Sequence, residues 1–531
     1  MSFDVAIDRA LRNISKFGDT DVFPIPFERN VFFHKHAESK AIIQSIHGDL
    51  DTWLATQSTT SHECLAQVGY TGFRWAAHIE PFWNAYYLSL VLGIAEKIEH
   101  ARLPEDKVFS YRFDWSDEES KIFKDSTWMD YRRKSIEHAK NSQFVVIADI
   151  ADFYPRIYHH RVENALLRIT DCDTPSRIMK LLTAFSKNVS YGLPVGGPAS
   201  RILAELALCG TDRLLVGAGM NFCRYADDYT IFCESEQEAY SHLVTLSQKL
   251  FIEGLVLQKK KTRILSAGEY LDINKQLDPA REEDNDEASD ESKLLSISVR
   301  YDPYSPTAEE DYEALAAAVR EVDVVGILSR EIAKTAIDTT VAKQAVRAIK
   351  AMDNEFYDGA VRTMLDKENL ATLAPVFVSV MRTIRSVYED LEGETKDFVD
   401  GTLVELFNQE FYVLKIDVNL CYYIQVLGKR HSVEKEEILT KIFLTTTVPL
   451  IKRLVFVAMT NWSCHHWLSE KKNNYSIMGV WERRAMIASS YVLREEGKHW
   501  RDKAKKGWNE IEKLIHEWAA DKSQKGEALP L

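Results

Sequence analysis

At 531 residues the chain is longer than one ordinary hydrophobic core supports, so two or more domains are expected. An apolar fraction of 45% beside 27% charged residues is that of a water-soluble globular protein, and a formal net charge of −14 argues against coating long nucleic acid by bulk electrostatics, though not against local basic grooves. No apolar run reaches the roughly 18 uncharged residues of a membrane span, and Asp4, Asp8 and Arg9 stand where a signal peptide has its core, so a cytoplasmic protein with no membrane partner is expected.

In chain order, the first signal is a basic run, Arg132, Arg133 and Lys134. A β-branched apolar run at residues 144–148 follows and ends at Asp149, which predicts a buried strand. Residues 222–233 predict two short strands meeting at an Asp-Asp turn, and Lys259, Lys260, Lys261 and Arg263 form a second basic run. Each basic run is either a solvated face or one wall of a groove. Residues 282–291 are dominated by acids and read as a loop or linker, followed by a half-buried strand at 294–299. Beyond Pro306 the strand signals fade. Tyr312, Leu315 and Val319, then Val341, Ala345 and Ile349, then Trp508, Ile511, Ile515 and Trp518 fall at helical spacing. The reading is an α/β part over 1–278, an acidic linker and short strand over 279–306, and an all-α, solenoid-like part over 307–531.

Seven cysteines without C-x-x-C pairs read as reduced thiols. Cys464, His465 and His466 have no second ligand pair at zinc spacing and read as a helix surface or core edge. Arg483, Arg484, Arg494, Lys498, Trp500 and Arg501 are either a path for a single strand or an amphipathic helix with solvated cations.

The strongest chemical signal is Arg224-Tyr225-Ala226-Asp227-Asp228-Tyr229. Unit charges about 4 Å apart repel by roughly 4 kcal/mol at an effective dielectric near 20, so adjacent aspartates in a tight turn call for a cation. With Asp149 at the end of its strand as third carboxylate, two divalent metal ions can be held, one to activate a hydroxyl and one to stabilise leaving pyrophosphate. The order of segments sharpens this. Asp149 opens D-I-x-x-F-Y, ending at Tyr154; residues 192–198 read Gly-Leu-Pro-Val-Gly-Gly-Pro; after the aspartate pair come Gly254-Leu255 and Lys261-Thr262.

That order resembles motifs A to D of reverse transcriptases. More narrowly, with Gly-Asp-Thr-Asp-Val-Phe-Pro at 18–24, Ser-Tyr-Arg-Phe at 110–113 and the helical second half, the chain resembles the abortive-infection reverse transcriptases of bacterial phage defence. The resemblance implies reverse-transcriptase-like fingers and palm followed by HEAT-like helices that replace the thumb and support a homo-oligomer. It implies Asp149 and Asp227 as principal ligands of two Mg2+ or Mn2+ ions, with Asp228 beside them, and deoxynucleoside triphosphates as substrates. Tyr154 matches the residue that blocks a ribose 2′-hydroxyl; the alternative is a core aromatic. Arg112 matches a fingers residue able to contact triphosphate; the alternative is an arginine paired to Asp114 or Asp117. Lys261 matches the lysine that counters charge on pyrophosphate.

One departure matters. Val195 stands where templated enzymes carry a glutamine, and valine offers no side-chain hydrogen bond. The family is associated with untemplated, protein-primed DNA synthesis, which implies a tyrosine hydroxyl as primer and a single-stranded DNA product joined to protein; none of the 22 tyrosines is singled out. Two other readings stand beside it: a templated enzyme working with a dedicated non-coding RNA, and a catalytically idle scaffold, against which the three retained acids count.

Overall fold

The computed structural model describes residues 1–59, 61–116, 120–124, 127–274 and 322–527. Asp117, the 279–306 linker with its acidic stretch and strand, and the pattern at Tyr312, Leu315 and Val319 lie outside these residues.

The strand expected at 144–148 is β3 (Phe144–Asp149), and it sits inside a four-stranded antiparallel sheet. Its alternation explains why both faces are apolar: Val146 and Ala148 face the main core, while Val145 faces a smaller one built with Phe109, Tyr131, Ile136 and Tyr270. β4 (Asn221–Tyr225), β5 (Asp228–Cys233) and β6 (Arg263–Ser266) complete the order β4-β5-β3-β6. The register pairs Ala148 with Tyr229 and Asp149 with Asp228. The aspartate pair is therefore split: Ala226 and Asp227 make the two-residue turn, and Asp228 is the first residue of β5.

Ala226 holds φ at 51°, a left-handed conformation unfavourable for a residue with a Cβ. What over-determines it is a buried ionic cluster. The helix Pro198–Gly217 carries Glu205 and Asp212 seven residues apart, two turns along one buried face. Arg224 of β4 lies against that face, its Nη2 at 2.7 Å from Asp212 and 3.0 Å from Glu205. Its Nη1 also donates to the Ala226 carbonyl at 2.8 Å, and the Ala226 amide donates to the Ser110 hydroxyl at 2.9 Å. Arg102, at 2.9 Å from Glu205, and the Tyr229 hydroxyl, at 3.0 Å from Asp212, complete the cluster. Burial drives the Asp212 carboxyl upward; at Glu205 burial pushes the same way but the Arg224 and Arg102 charges outweigh it and the carboxyl ends low.

A second, two-stranded sheet is the hairpin β1 (Ser61–Val68) and β2 (Gly72–Ile79). After residue 322 every described regular element is helical. The helices Phe377–Val387, Asp417–Leu427, Pro449–Asn461, Val480–Ser489 and Glu510–Gln524 pack in succession as one layer, with Tyr357–Leu365, Gly393–Asn408, Val433–Thr445 and His465–Lys472 forming the other. Val341 and Ala345 are buried in one helix, with Ile349 in the 3-10 turn that ends it; Ile511, Ile515 and Trp518 are buried in the last helix, which Trp508 precedes. No helix among the described residues is long and apolar enough to cross a membrane.

One apolar core runs through both halves, from Ala6 to Ala519. The halves are also tied by buried ions. Glu80, which caps the helix Pro81–Gly93, pairs with Arg484, and Glu28 accepts from Arg453 at 3.2 Å. Arg484 is thus no part of a strand path. Arg483 pairs with Glu512 at 2.8 Å, Arg501 lies 3.7 Å over the Tyr491 ring and Trp500 is packed among Tyr475 and Trp508, so this stretch serves internal packing more than solvent or ligand. Arg494 and Lys498 remain exposed.

Removing Arg224 strands two acids in the interior, where breaking a buried pair costs about 3–5 kcal/mol. Arg224→Met is expected to lose stability of that order in chemical denaturation, and Arg224→Met combined with Glu205→Gln and Asp212→Asn to recover part of it. Equal stability of Arg224→Met and the parent would refute the assignment.

Candidate active site

Three carboxylates converge at one end of the four-stranded sheet. Asp149 closes β3, Asp228 opens β5 directly opposite, and the Asp227 carbonyl accepts from the Ile150 amide at 3.1 Å. Asp149 is almost fully buried, and Asp227 and Asp228 are half-buried. Burial, then the charges of Asp227 and Asp149, push the Asp228 carboxyl up to about 7; burial and Asp149 raise Asp227 as well. Groups raised in this way are short of positive charge.

Lys261 supplies part of it, its Nζ at 2.6 Å from Asp149 Oδ2 while its side chain stays 66% exposed. Burial would lower the ammonium, but the bond to Asp149 and the charges of Asp228 and Asp227 outweigh it, so the proton is held more firmly than usual. The donor set is hard carboxylate oxygen on a half-open surface, which suits Mg2+ or Mn2+.

Tyr154 lies one turn beyond the end of β3, in the short helix Phe153–Arg156. Its hydroxyl is hydrogen-bonded to that of Tyr111, and burial with that neighbour pushes it well above the usual phenol range. Arg201 sits 5.2 Å over the Tyr111 ring and pairs with Asp21. The Tyr154 carbonyl accepts from Leu193 at 2.9 Å, which joins it to the loop at 192–198.

That loop is bracketed. The Val195 carbonyl accepts from Ala77 of β2 at 3.0 Å, and Gly196 accepts from Asp21 at 3.4 Å. Gly196 has φ 128° and a Cβ there would lie 2.5 Å from Thr20 Oγ1, so only glycine fits. The segment at 18–24 is thus the outer wall of the loop. Gly254 is equally constrained, its φ of 80° and the Tyr158 ring leaving no room for a Cβ.

Arg112 is not brought to this cluster. Its guanidinium is buried, donating to Val108 and Leu103 carbonyls and pairing with Glu99 at 3.0 Å. The triphosphate reading is corrected: every edge of the fork is occupied, and the acid it meets is Glu99 rather than Asp114. A second cation, after Lys261, acts on the cluster: Arg74, exposed on β2, whose charge helps lower Asp227. Nothing in the sequence marks an arginine between Phe73 and Trp75; only the folded hairpin brings it near residue 227. Of the basic runs, Lys134 pairs with Glu137 on the surface and Arg132 binds Asn274.

Residues 93–300 match the family described as reverse transcriptase (RNA-dependent DNA polymerase), a span that includes Asp149, Tyr154, Asp227, Asp228 and Lys261. The retron Ec86 reverse transcriptase of Escherichia coli is 28% identical over 127 residues, which are 23% of this chain and 38% of that protein. The chain thus matches well under half the length of that relative. Two solved structures, telomerase from Candida albicans with a TWJ fragment of telomeric RNA and apo telomerase from Candida tropicalis, are 10% identical over 65% of this chain, and over 67% and 72% of theirs, each with a TM-score of 0.28. The family match over residues 93–300 and the retron match support an enzyme of the nucleotidyltransferase, DNA polymerase type.

The raised carboxyl of Asp228 has a consequence for stability. Folded, it holds its proton up to about pH 7, above the ordinary aspartate value of 3.8, so its penalty is absent below about pH 4 and grows as pH rises to 7. In chelator, Asp228→Asn is expected to be more stable than the parent at pH 8, by an amount of the order of 1 kcal/mol after solvent screening, and equal to it by pH 4–5. A difference that does not shrink with falling pH would count against this origin.

Proposed function

We propose that the chain is a DNA polymerase of reverse-transcriptase type in which Asp149, Asp227 and Asp228 hold two divalent ions, Mg2+ or Mn2+, and deoxynucleoside triphosphates are the substrate. The observation that carries this is the convergence of three mutually repelling carboxylates from two adjacent strands and the turn that enters one of them, with Lys261 reaching in from β6's approach. When bound, the ions would lower the pKa of the attacking hydroxyl and stabilise charge on the leaving pyrophosphate. The chain's own groups do the rest. Lys261, firmly protonated and free to leave Asp149, neutralises pyrophosphate and can return its proton. Arg74 draws the triphosphate toward the acids, and the Tyr154 ring, braced by Tyr111, excludes a ribose 2′-hydroxyl.

The finer reading is synthesis without a template, primed by a tyrosine hydroxyl, in abortive-infection defence against phage. Val195 supports it, because its main chain is committed to β2 and its side chain has nothing to offer a templating base. The helical part supports it too. Asp417 accepts from Leu65, Tyr70 donates to the Thr372 carbonyl and Tyr422 to that of Val22, so helices close over the hairpin and the 18–24 segment. On this reading residues 1–278 form fingers and palm and 307–531 form HEAT-like helices that assemble a homo-oligomer. The exposed tyrosines among the described residues, Tyr70, Tyr158, Tyr191, Tyr240 and Tyr412, are the reachable primers; the product is single-stranded DNA joined to one of them. The match to an RNA-dependent family and to a retron enzyme favours a second reading, templated synthesis with a dedicated non-coding RNA.

Labelled deoxynucleotides with Mg2+ or Mn2+, and neither primer nor template, separate these readings. Label that stays with protein through denaturation, and falls by about 10²–10³ or more in Asp227→Ala, is the expected result. Label appearing only when RNA is added selects the templated reading, and none in either case leaves an idle scaffold. Tyr154→Ala is expected to admit ribonucleotides; unchanged sugar discrimination would remove Tyr154 as the gate.

A further inference from the structure

The turn that follows the helix Pro449–Asn461 is unusual. Trp462 caps the helix, Ser463 takes a left-handed φ of 56°, and Cys464 then starts the helix His465–Lys472 with its amide bonded to the Met459 carbonyl at 2.9 Å. This kink turns Cys464 inward, away from the exposed His465 and His466 beside it in sequence. Inside, it meets the turn before the neighbouring helix Val433–Thr445. Cys464 Sγ is 3.5 Å from Glu436 Oε2, and the same oxygen is 3.0 Å from His431 Nε2. One ligand atom from each of the three lies within 4.8 Å of the others.

Zinc bonds of about 2.0–2.3 Å to nitrogen, oxygen and sulfur put tetrahedral ligands about 3.3–3.8 Å apart. The sulfur-to-oxygen separation of 3.5 Å lies in that range and the nitrogen-to-oxygen separation of 3.0 Å falls a few tenths of an ångström short of it, so small side-chain rotations suffice. The donor set is mixed: a thiol, an imidazole and a carboxylate, which suits a borderline ion such as Zn2+ better than Mg2+. The supporting geometry is fixed. Ser432 caps the helix that carries Glu436, the Trp462 ring meets His431 edge-on at 5.2 Å, and Trp462 Nε1 donates to the Gly428 carbonyl at 2.9 Å, so both turns are held together without an ion. His431 and Glu436 are partly exposed, which leaves an open side for a fourth ligand such as water.

We propose that His431, Glu436 and Cys464 form a site for a transition-metal ion of the zinc class, binding through His431 Nε2, a Glu436 carboxylate oxygen and Cys464 Sγ. It shares no residue with the carboxylate cluster of the sheet and does not depend on what that cluster does. Without an ion, burial and then Glu436 push the Cys464 thiol up to about 12, so the thiol is protonated and hydrogen-bonded to Glu436. Binding replaces that proton: the S–H bond breaks, the proton goes to solvent, and the sulfur lone pair bonds the metal. The ion would staple two successive helix-to-helix turns of the helical part.

Cobalt reports the site directly. Full-length protein, stripped with chelator and titrated with Co2+, is expected to develop the sulfur-to-cobalt charge-transfer band and the strong visible d–d bands of a tetrahedral thiolate site, both displaced by Zn2+. Carboxylates at the sheet give no such charge-transfer band. Cys464→Ser is expected to abolish it, and His431→Ala and Glu436→Gln, both on the partly exposed side, to weaken Co2+ binding by about tenfold or more each. His465→Ala is expected to change nothing. No charge-transfer band in the parent, a band that survives Cys464→Ser, or one indifferent to His431→Ala would each overturn the proposal. Unchanged circular dichroism of the variants guards against misfolding as the cause of a loss.

Discussion

The buried guanidinium of Arg224 is the constraint on which the candidate site rests. It neutralises Glu205 and Asp212 of the helix packed against it and also grips the Ala226 carbonyl, which forces the left-handed turn that no alanine would choose alone. A strained turn persists only where its surroundings over-determine it, and here the surroundings are ionic, buried and shared between sheet and helix. The result is that Asp227 and Asp228 are presented at a fixed place opposite Asp149. The repulsion among those three acids is eased by Lys261, and at Asp227 by Arg74 as well.

The same logic explains why so much of this region is legible in the linear chain. Strands β3, β4 and β5 announce themselves because both faces of a central sheet must be apolar, and because Asp149 and the 227–228 pair interrupt apolar runs at their ends. Lys261 could be picked out by its register after Gly254, and it does lie on Asp149. The helical second half is legible from spacing, since a helix in a two-layer stack buries one stripe and shows the other.

What was not legible depends on pairs distant in sequence. Arg112 looks like a phosphate ligand in isolation, but Glu99 and two carbonyls close around it only once the chain folds. Arg74 has no local pattern at all; a hairpin some 150 residues before Asp227 delivers it. Arg484 sits in a cationic stretch that reads as surface, yet its partner Glu80 lies in the first hundred residues and takes it inside. Cys464 stands beside two histidines in the linear chain, whereas a left-handed Ser463 turns it toward residues 431 and 436. In each case one-dimensional spacing carries the local element and is silent about which element it will meet.

The continuity of the core sets a limit on how this architecture can be divided or exchanged. Phe27 and Trp518 stack at 6.0 Å, Lys35 meets Asp521 at 2.6 Å and Asn509 bonds Gln57, so the last helix completes the surface of the first three. A chain cut before its final helix would leave Phe27 without its stacking partner and Lys35 without its acid. During synthesis, then, the packing of these early elements closes only once residues 509–521 have been made. Swapping the helical part for one from a relative would demand matched changes at Glu28, Glu80, Arg453 and Arg484, so the two halves are bound to vary together rather than as interchangeable modules.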